Sequence, residues 1–517
     1  MTSAQIGIII TVVAYLMGML LIGIWASKST NDVGDFYLGG RKLGPFVTAM
    51  SAEASDMSSY LLMGIPGLAY LSGIADAGWT AAGLIVGTYL NWLLVAKRIR
   101  KYSAHLNAIT IPDYFKSRFQ DESNILLFIS AAFILIFFVP YTASGFAACG
   151  KLFASLFGVN YQLAMIVSAV VIVGYTTTGG FLAASETDFV QSIVMTAALF
   201  IVLGYGISQA GGVNAVIENA KQLPGFLDWN ATYNNASHAA DSYNIFHKVS
   251  MFCWSLGYFG MPHILLRFMA IEDPEKLKLS RRVASVWVVF SLGIAVILGI
   301  VGRAMTLTGT MKNLVDASDP ASSAKAETLI VVLADHISKN GVLFALIGGI
   351  IIAGILASTM STADSQLIAA ASAVSENIIQ GVFHVKLSEK MAMFIARATL
   401  ILVAGFAIFI AWNPNSSIFN IVSFAWAGFG AAFGPIILLS LFWKRMNRYG
   451  AIAGMLSGGI MVFLWKYLVR PLGGFLNLYE LAPAFLVSIL FVILVSLLTP
   501  APDRKIVEDF EAVRKEL

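Results

Sequence analysis

Cysteine, histidine and charged side chains are scarce in this chain of 517 residues. It has 2 cysteines and 6 histidines, and only 12% of its residues are Asp, Glu, Lys or Arg. So low a charged fraction excludes a water-soluble protein of this size, which needs polar side chains over its surface. Cys149 and Cys253 lie in apolar stretches, which argues against a disulfide framework or a metal cluster. The net charge of +4 is too small to indicate a nucleic acid partner.

Long apolar segments are what the chain has in abundance. Hydrophobic residues make up 58% of the sequence, and the mean hydropathy is +0.79. A helix that crosses a bilayer needs about 20 apolar residues, and a hydropathy window predicts about thirteen such spans. Their cores begin at Ile6, Pro45, Ala81, Ile125, Tyr161, Phe189, Ile245, Val283, Gly341, Met391, Ile418, Ala451 and Ala482. We therefore predict an all-α integral membrane protein, with a single transmembrane domain over residues 1–500 and a short tail over 501–517.

Basic residues indicate how the chain is oriented. They cluster after the third, seventh and eleventh predicted spans, and the loops after even-numbered spans carry fewer of them. The three clusters are Lys97, Arg98, Arg100 and Lys101; Arg267, Lys276, Lys278, Arg281 and Arg282; and Lys444, Arg445 and Arg448. Because basic loops stay in the cytoplasm, we expect the N-terminus outside and the C-terminal tail inside, as a short helix or a disordered end.

The second predicted span carries many polar side chains for a membrane helix. Glu53, Asp56 and four serines lie within residues 51–59, and a Gly-Ile-Pro-Gly sequence follows at 64–67. A helix interrupted near Asp56 would free carbonyls to bind a cation and N–H groups to face an anion. The alternative is that the serines bond back to their own helix beside a buried ion pair.

The ninth predicted span supplies a second polar cluster, which runs from Ser358 to Gln366. A sodium ion is a hard cation, and it prefers about five or six oxygen ligands. Carbonyls of a broken helix and hydroxyls of a straight neighbour would provide that set. Close packing of small residues, with hydroxyls bonding between helices, is the alternative.

The seventh predicted span brings two aromatic residues close to a helix break. Trp254 and Tyr258 are four residues apart, which on an α-helix places them on one face, and Pro262 then interrupts the helix. The pair is either one wall of a binding site or ordinary apolar packing. We find no nucleotide-binding loop, metal cluster or nucleophile–base pair in the sequence, so we do not expect an enzyme.

Several stretches resemble the sodium:solute symporter family and, within it, the bacterial proline carriers. They are Leu38-Gly39-Gly40-Arg41, Ser55-Asp56-Met57-Ser58, Gly179-Gly180-Phe181-Leu182-Ala183 with Thr187-Asp188, Trp254 to Gly260 with Pro262-His263, Met360-Ser361-Thr362, and Ala425 to Ala431. The resemblance implies a LeuT-like core of two inverted five-helix repeats, at about residues 43–209 and 245–443, with extra helices at both ends. It also implies sodium-coupled symport of L-proline by alternating access in the bacterial inner (plasma) membrane. The expected partners are the small-molecule substrate and the lipid bilayer, without an obligate protein partner.

The resemblance also assigns roles to individual positions. The sodium ion would be held by the carbonyls of Ala54, Met57 and Ser358 and the hydroxyls of Ser361 and Thr362. Asp56 would support sodium affinity through its field and hydrogen bonds, and Arg41 would contribute to coupling. The substrate pocket would contain Ser58, Ser59, Tyr60, Tyr141, Trp254, Tyr258 and Pro262.

Four positions depart from the pattern of the proline carriers. Ser59 and Tyr60 stand where those carriers usually have Gly and Trp, Met261 replaces Gln, and Glu53 replaces Gly. These changes keep open a sodium symporter for another small amino acid or a short carboxylate. Proton coupling through Glu53 or Asp56 is a more remote alternative, because it leaves the ninth-span hydroxyls without a role.

A second sodium site is a further hypothesis. Asp188, Ser361, Asp364 and Ser365 match positions that form such a site in some related symporters. Asp364 is a carboxylate where the proline carriers more often have a small residue. The alternative for Asp364 is a buried hydrogen bond or a salt bridge.

Overall fold

The computed structural model describes residues 2–27, 33–316 and 318–517, and the fold is built almost entirely from helices. The α-helices in chain order are α1 (Ser3–Ser27), α2 (Val33–Leu38), α3 (Pro45–Asp56), α4 (Ile65–Ser72), α5 (Ile74–Leu90), α6 (Ala96–His105), α7 (Ile111–Phe119), α8 (Ile125–Phe157), α9 (Tyr161–Gln209), α10 (Val213–Lys221), α11 (Ile245–Phe252), α12 (Pro262–Ala270), α13 (Leu277–Leu307), α14 (Ser322–Ala326), α15 (Leu329–Ser338), α16 (Val342–Ser372), α17 (Glu389–Ile410), α18 (Ile418–Phe442), α19 (Arg448–Leu464), α20 (Leu481–Leu498) and α21 (Arg504–Lys515). Segments of other helical type adjoin them: π-helix at Tyr60–Gly64, Asn91–Val95, Ala373–Val382 and Trp465–Val469, and 3-10 helix at Gly39–Arg41, Cys253–Gly260, Pro274–Lys276, Arg470–Leu472 and Gly474–Leu476.

Ten helices within the described ranges are long and apolar enough to cross a membrane. The segments Ile245–Gly260 and Pro262–Ala270 form an eleventh candidate, bent by 47°. Two of the predicted spans fall on shorter pieces. The one that begins at Pro45 is interrupted after Asp56, and the one that begins at Tyr161 falls on the part of α9 before the kink at Gly180. The all-α membrane fold is confirmed, and the count of about thirteen spans stays a prediction.

The bundle buries polar stretches within an apolar core and exposes apolar side chains at its periphery, unlike a soluble protein. All residues of α3 from Thr48 to Asp56 are buried, and so are those of α16 from Ile351 to Ser372. The outer helices α17 and α20 expose apolar side chains such as Phe409 (79%) and Leu498 (84%). This distribution suits a lipid surround, because lipid solvates apolar side chains and leaves buried polar groups to pair with one another.

A glycine kink divides α9 and positions its second half. Gly180 has φ 65° and ψ −171°, a conformation that only glycine adopts readily. A β-carbon there would lie 2.9 Å from Cδ2 of Phe36. Beyond the kink, the helix packs along α3 and α16 and brings Asp188 into the centre of the bundle, where it is fully buried.

Two smaller elements cover the ends of the bundle. Strands β1 (Ala231–Asn234) and β2 (Ala239–Ser242) form an antiparallel hairpin in the polar loop between α10 and α11. The loop packs on the start of α5, where the Ile74 amide donates to the Phe226 carbonyl at 2.8 Å. The tail folds as the helix α21, whose buried Phe510 contacts the ring of Tyr102.

Candidate functional site

The predicted interruption near Asp56 is present. Helix α3 ends at Asp56, and Met57 leaves the helical conformation with φ −77° and ψ 62°. Ser58 follows without helical bonding, Ser59 returns to the helical conformation, and a π-helical turn begins at Tyr60. The break therefore precedes the Gly-Ile-Pro-Gly sequence, in which Pro66 occupies the first turn of α4, where proline is tolerated. The carbonyl end of α3 carries partial negative charge at this point, which favours a cation.

The polar stretch of α16 meets the end of α3 directly. The Ser361 hydroxyl donates to the Ala54 carbonyl at 2.8 Å, across 307 residues of sequence. One turn earlier on α16, the Ser358 carbonyl accepts from the Thr362 hydroxyl at 3.1 Å. The structure thus brings four of the five predicted sodium ligands, Ala54, Ser358, Ser361 and Thr362, to one contact between two helices. Met57, the fifth, lies at the break itself.

Asp56 joins the two broken helices. The Tyr258 hydroxyl donates to Asp56 Oδ2 at 2.5 Å, and the Tyr141 hydroxyl donates to the Asp56 carbonyl at 3.4 Å. All three residues are buried. The carboxylate adjoins the proposed cation ligands through the backbone of α3 and the aromatic pocket through Tyr258. It is therefore placed to act by field and hydrogen bonding.

Trp254 and Tyr258 lie on a 3-10 helix, Cys253–Gly260, and not on an α-helix. Three residues per turn place positions four apart on different sides, so the expectation of a shared face was wrong. The two rings instead flank Trp426 of α18. Trp254 stacks on it with ring centroids 6.1 Å apart, and Tyr258 meets it edge-on at 5.0 Å. Gly257 permits this approach, because a β-carbon there would lie 1.9 Å from the Trp426 indole nitrogen.

The other predicted pocket residues lie around this aromatic cluster. The Tyr60 ring is 6.1 Å from that of Trp254, and Ser58 accepts a hydrogen bond from the Tyr60 amide at 3.4 Å. Pro262 begins α12 after Met261, whose extended conformation ends the 3-10 segment. Three of the four residues that depart from the proline-carrier pattern, Ser59, Tyr60 and Met261, thus lie beside the helix breaks.

The buried polar atoms in these segments that have no hydrogen-bond partner among the described residues include Asp56 Oδ1, Ser59 Oγ and Trp254 Nε1. Buried polar groups are nearly always paired. An indole N–H can donate, a carboxylate can accept, and a hydroxyl can do either. This set can pair with a small ligand that carries both donors and acceptors.

Glu53 lies one turn before the break and is buried. Its Oε1 accepts from the Trp92 indole nitrogen at 3.0 Å, and Trp92 in turn packs on Phe268 with centroids 4.4 Å apart. The carboxyl is therefore held against α12 and the π-helical segment that follows α5.

The residues of the hypothetical second sodium site also lie close together, around the side chain of Arg267. Arg267 lies 3.1 Å from Asp188 Oδ2 and donates to Ser365 Oγ at 2.5 Å. The Ser365 hydroxyl can donate its one hydrogen to the Ser361 carbonyl, 2.9 Å away, or to Asp364 Oδ1, 3.1 Å away. Arg267 was counted among the basic residues of a loop, and that was wrong, because it is 1% exposed within α12. Its place in the apolar run that follows Pro262 could have indicated burial.

Arg41 lies apart from these clusters and hydrogen-bonds to backbone carbonyls near the ends of α6 and α12. It donates to the carbonyls of Met269 at 2.6 Å, Ala108 at 2.7 Å and Ser103 at 3.2 Å. Burial and the nearby positive charge of Arg100 lower the pKa of Arg41 to about 10, so the side chain stays charged at neutral pH. Through Met269 it holds the far end of α12, so it is linked to the seventh-span break but does not touch the proposed ligands.

Glu327 is a functional candidate that sequence reasoning missed. Its carboxylate accepts from Lys151 Nζ at 2.8 Å and from the Ser417 hydroxyl at 2.8 Å. It also accepts from the amides of Ile418 and Phe419, each at 3.0 Å. A single acidic residue between two short helices gives no sequence signal for capping α18, which begins more than 80 residues later.

A membrane bundle in which two interrupted helices meet a straight one at an oxygen-lined centre is the architecture of a secondary transporter. The chain belongs to the sodium:solute symporter family, whose model matches residues 36–458. It is therefore a transporter and not an enzyme. It is 41% identical over 515 residues to the osmoregulated proline transporter of Bacillus subtilis, covering 99% of both chains. It is 41% identical over 496 residues to the sodium/proline symporter of Escherichia coli, covering 96% of this chain and 94% of that one.

Solved structures of transporters share the fold. A Na+-coupled sialic acid symporter, in a substrate-bound outward-open state, matches with a TM-score of 0.78 at 17% identity, over 96% of this chain and 99% of that one. A nucleobase–cation symport family transporter in a closed conformation matches with a TM-score of 0.52 at 13% identity, over 93% and 98%. At these identities the likeness concerns the fold alone.

Proposed function

We propose that this chain carries L-proline into the cell together with sodium by alternating access. The names of its relatives support the substrate, since chains 41% identical over nearly the whole length are proline transporters. The family supports the coupling ion. Transport of this kind makes and breaks no covalent bond, and the inward sodium gradient drives the uphill entry of the substrate.

The observation that carries the proposal is the contact between Ser361 and the Ala54 carbonyl. It joins a straight helix to the carbonyl end of a broken one, and both groups offer oxygen atoms. With the carbonyls of Met57 and Ser358 and the hydroxyl of Thr362, they form the five-oxygen set that a small hard cation prefers. Sodium bound there would replace the direct hydrogen bond and hold α3 and α16 together.

The substrate pocket is assigned to the aromatic cluster beside this set. Ser58, Ser59 and Tyr60 supply one side, Tyr141 another, and Trp254, Tyr258 and Pro262 the third. Trp254 Nε1, which has no hydrogen-bond partner among the described residues, suits the substrate carboxylate, and Asp56 Oδ1, likewise unpaired there, suits a cationic group. The stacked rings around Trp254 provide an apolar surface for a small saturated ring.

Coupling follows from the position of Asp56 between the two sites. Sodium at the end of α3 fixes the break, and the 2.5 Å hydrogen bond from Tyr258 transmits that order to the aromatic pocket. Each ligand then binds more tightly when the other is present, by the same factor in both directions. Arg41, which holds the far end of α12, is assigned a role in the accompanying closure.

The same proposal includes the topology. The transmembrane domain would cover residues 1–500 and contain thirteen spans. Ten of these would form two inverted five-helix repeats, at about 43–209 and 245–443, and the others would lie at the two ends. The broken helices α3–α4 and α11–α12 support this arrangement, because each is then the first span of its repeat. The N-terminus is placed outside the bacterial inner membrane and the tail from residue 501 in the cytoplasm.

A sodium symporter for another small amino acid or a short carboxylate is the second candidate. Ser59, Tyr60 and Met261 favour it, because all three differ from the usual proline-carrier residues at the breaks that line the pocket. The added hydroxyl of Ser59 would narrow a site that glycine leaves open.

Equilibrium binding to the purified protein separates the candidates. Binding of labelled proline should tighten as sodium rises at constant ionic strength, with potassium as the control. Competition by a panel of small amino acids and short carboxylates then ranks the substrates. A sodium-dependent competitor that binds more tightly than proline would change the assigned substrate and leave the assignment as a sodium symporter standing. Proline binding that ignores sodium would contradict the proposal.

A further inference from the structure

Arg118, in the last turn of α7, is a buried guanidinium that has no counter-charge in the part of the chain that the structure describes. Its side chain is 1% exposed. Nε donates to the Ser440 carbonyl at 3.1 Å, but Nη1 and Nη2 have no hydrogen-bond partner among the described residues. The acidic residues that flank it along the chain, Asp113 and Asp121, bond to other groups. Because arginine stays protonated when buried, this positive charge calls for an anion.

Three aromatic rings surround the guanidinium. The ring centroids of Tyr102, Phe119 and Phe510 lie 5.3, 5.1 and 5.4 Å from Cζ of Arg118. Such cation–π contacts are weaker than the penalty for burying an unpaired charge, so the rings offset only part of that penalty. The two Nη groups form the edge with which arginine binds two oxygens of one carboxylate or phosphate group.

The Tyr102 hydroxyl is a second buried group without a hydrogen-bond partner among the described residues. It lies on a ring that contacts both Arg118 and Phe510, the latter with centroids 6.5 Å apart. A phosphate group has enough acceptor oxygens for both Nη groups and this hydroxyl, and it carries more negative charge than a carboxylate. Helix α6 adds positive charge that attracts an anion, from Lys97, Arg98, Arg100 and Lys101.

Helix α21 covers this cluster through Phe510, which is 6% exposed. Polar contacts fasten the same helix at its rim: Asp509 lies 3.0 Å from His105, and Glu511 lies 3.2 Å from Lys444. Both contacts are partly exposed to solvent, and ion pairs of that kind contribute little to stability. The helix is therefore a removable cover over Arg118.

We propose that Arg118 and Tyr102 form a binding site for a phosphate group, covered by Phe510, at the end of the bundle that is assigned to the cytoplasm. The phosphate group belongs either to the headgroup of an anionic lipid or to free phosphate. This inference goes beyond sodium-coupled transport and does not rest on it, because none of these residues is a proposed sodium ligand or pocket residue.

Binding of radioactive inorganic phosphate to the full-length protein in phosphatidylcholine nanodiscs tests the proposal, at constant ionic strength and without sodium or proline. The wild type should bind one phosphate per chain. Phe510→Ala should bind it more tightly, by about tenfold or more, because phosphate then displaces no buried ring. Tyr102→Phe should weaken binding by about tenfold, because it removes one hydrogen bond to a charged group. Arg118→Gln should abolish binding.

Arg448→Gln is the matched control. Arg448 also stacks on an aromatic ring, with its Cζ 4.8 Å from the centroid of Tyr449, but it is not fully buried and its guanidinium donates to the Tyr449 hydroxyl at 2.8 Å. Its replacement removes the same charge and should leave phosphate binding unchanged. Nanodiscs of phosphatidylglycerol then identify the source. Weaker phosphate binding there would assign the site to a lipid headgroup, and equal binding in both lipids would assign it to free phosphate.

Three results would overturn the proposal. The first is the absence of saturable phosphate binding in both the wild type and Phe510→Ala. The second is unchanged binding in a folded Arg118→Gln variant, and the third is an equal loss in Arg448→Gln, which would indicate general attraction to a basic surface. If Arg118→Gln does not fold, Tyr102→Phe in the Phe510→Ala background decides, and unchanged affinity there would contradict the site.

Discussion

Replacing Ser361 with alanine should weaken sodium binding and leave the substrate pocket intact. The hydroxyl is the group of α16 that reaches the broken helix, and alanine removes it without adding bulk. A bond to a charged group contributes about 1.5–3 kcal/mol, and an ordinary hydrogen bond about 1 kcal/mol. Because the same hydroxyl bonds to the Ala54 carbonyl in the ion-free protein, the net loss is the difference. We expect about 0.5–2 kcal/mol, or a sodium affinity lower by about two- to thirtyfold.

The assay is the sodium dependence of proline uptake, together with direct sodium binding. Since the coupling is reciprocal, proline affinity should fall at low sodium and recover when sodium is saturating. Ser358 is a matched control on the same helix, because its hydroxyl bonds to the Ile355 carbonyl one turn away, at 2.8 Å. Ser358→Ala keeps the carbonyl that is assigned to the ion, so sodium affinity should change by less than about twofold.

Two results would refute this reasoning. One is an unchanged sodium affinity in Ser361→Ala. The other is an equal loss in Ser358→Ala, which would point to general loosening of α16. A loss of proline affinity that persists at saturating sodium would move Ser361 from the ion site to the substrate pocket.

Other variants test neighbouring contacts. Tyr258→Phe removes the 2.5 Å hydrogen bond to Asp56. Because such a bond to a charged group contributes about 1.5–3 kcal/mol, uptake assays should show sodium and proline affinities lower by about tenfold or more. Unchanged affinities would contradict the coupling role of Asp56. Glu327→Gln should lower the melting temperature, because it leaves Lys151 buried without its counter-charge, a loss of about 3–5 kcal/mol. Adding Lys151→Met should restore part of that stability, and no restoration would contradict the pairing. Gly257→Ala should reduce folded protein in the membrane, because the new β-carbon would lie 1.9 Å from an indole nitrogen; a normal yield and uptake rate would contradict the tight packing.

Much of the fold was predictable, because membrane-spanning helices can be recognised from the length and apolar composition of their segments. The interruption at Asp56 was predictable for the same reason, since carboxylates and serines are too costly on a continuous lipid-facing helix. The contact between Ser361 and Ala54 was expected from oxygen chemistry together with the family resemblance, and the structure brings the two residues together.

What the sequence could not indicate depends on packing between distant segments. The 3-10 form of Cys253–Gly260 arises where Gly257 meets Trp426, and nothing local distinguishes it from an α-helix. Arg267 looked like a loop residue because hydropathy averages over a window, whereas a single buried charge depends on one partner, Asp188, 79 residues away. The capping of α18 by Glu327 is likewise a tertiary contact without a local pattern.

Uptake of labelled proline into liposomes that contain the purified protein tests the central claim most directly. An inward sodium gradient is compared with an equal potassium gradient, and excess unlabelled proline is the competition control. The account predicts accumulation above the external concentration with sodium only, abolished by the competitor and by collapse of the gradient. Equal uptake with sodium and potassium would contradict sodium-coupled proline symport.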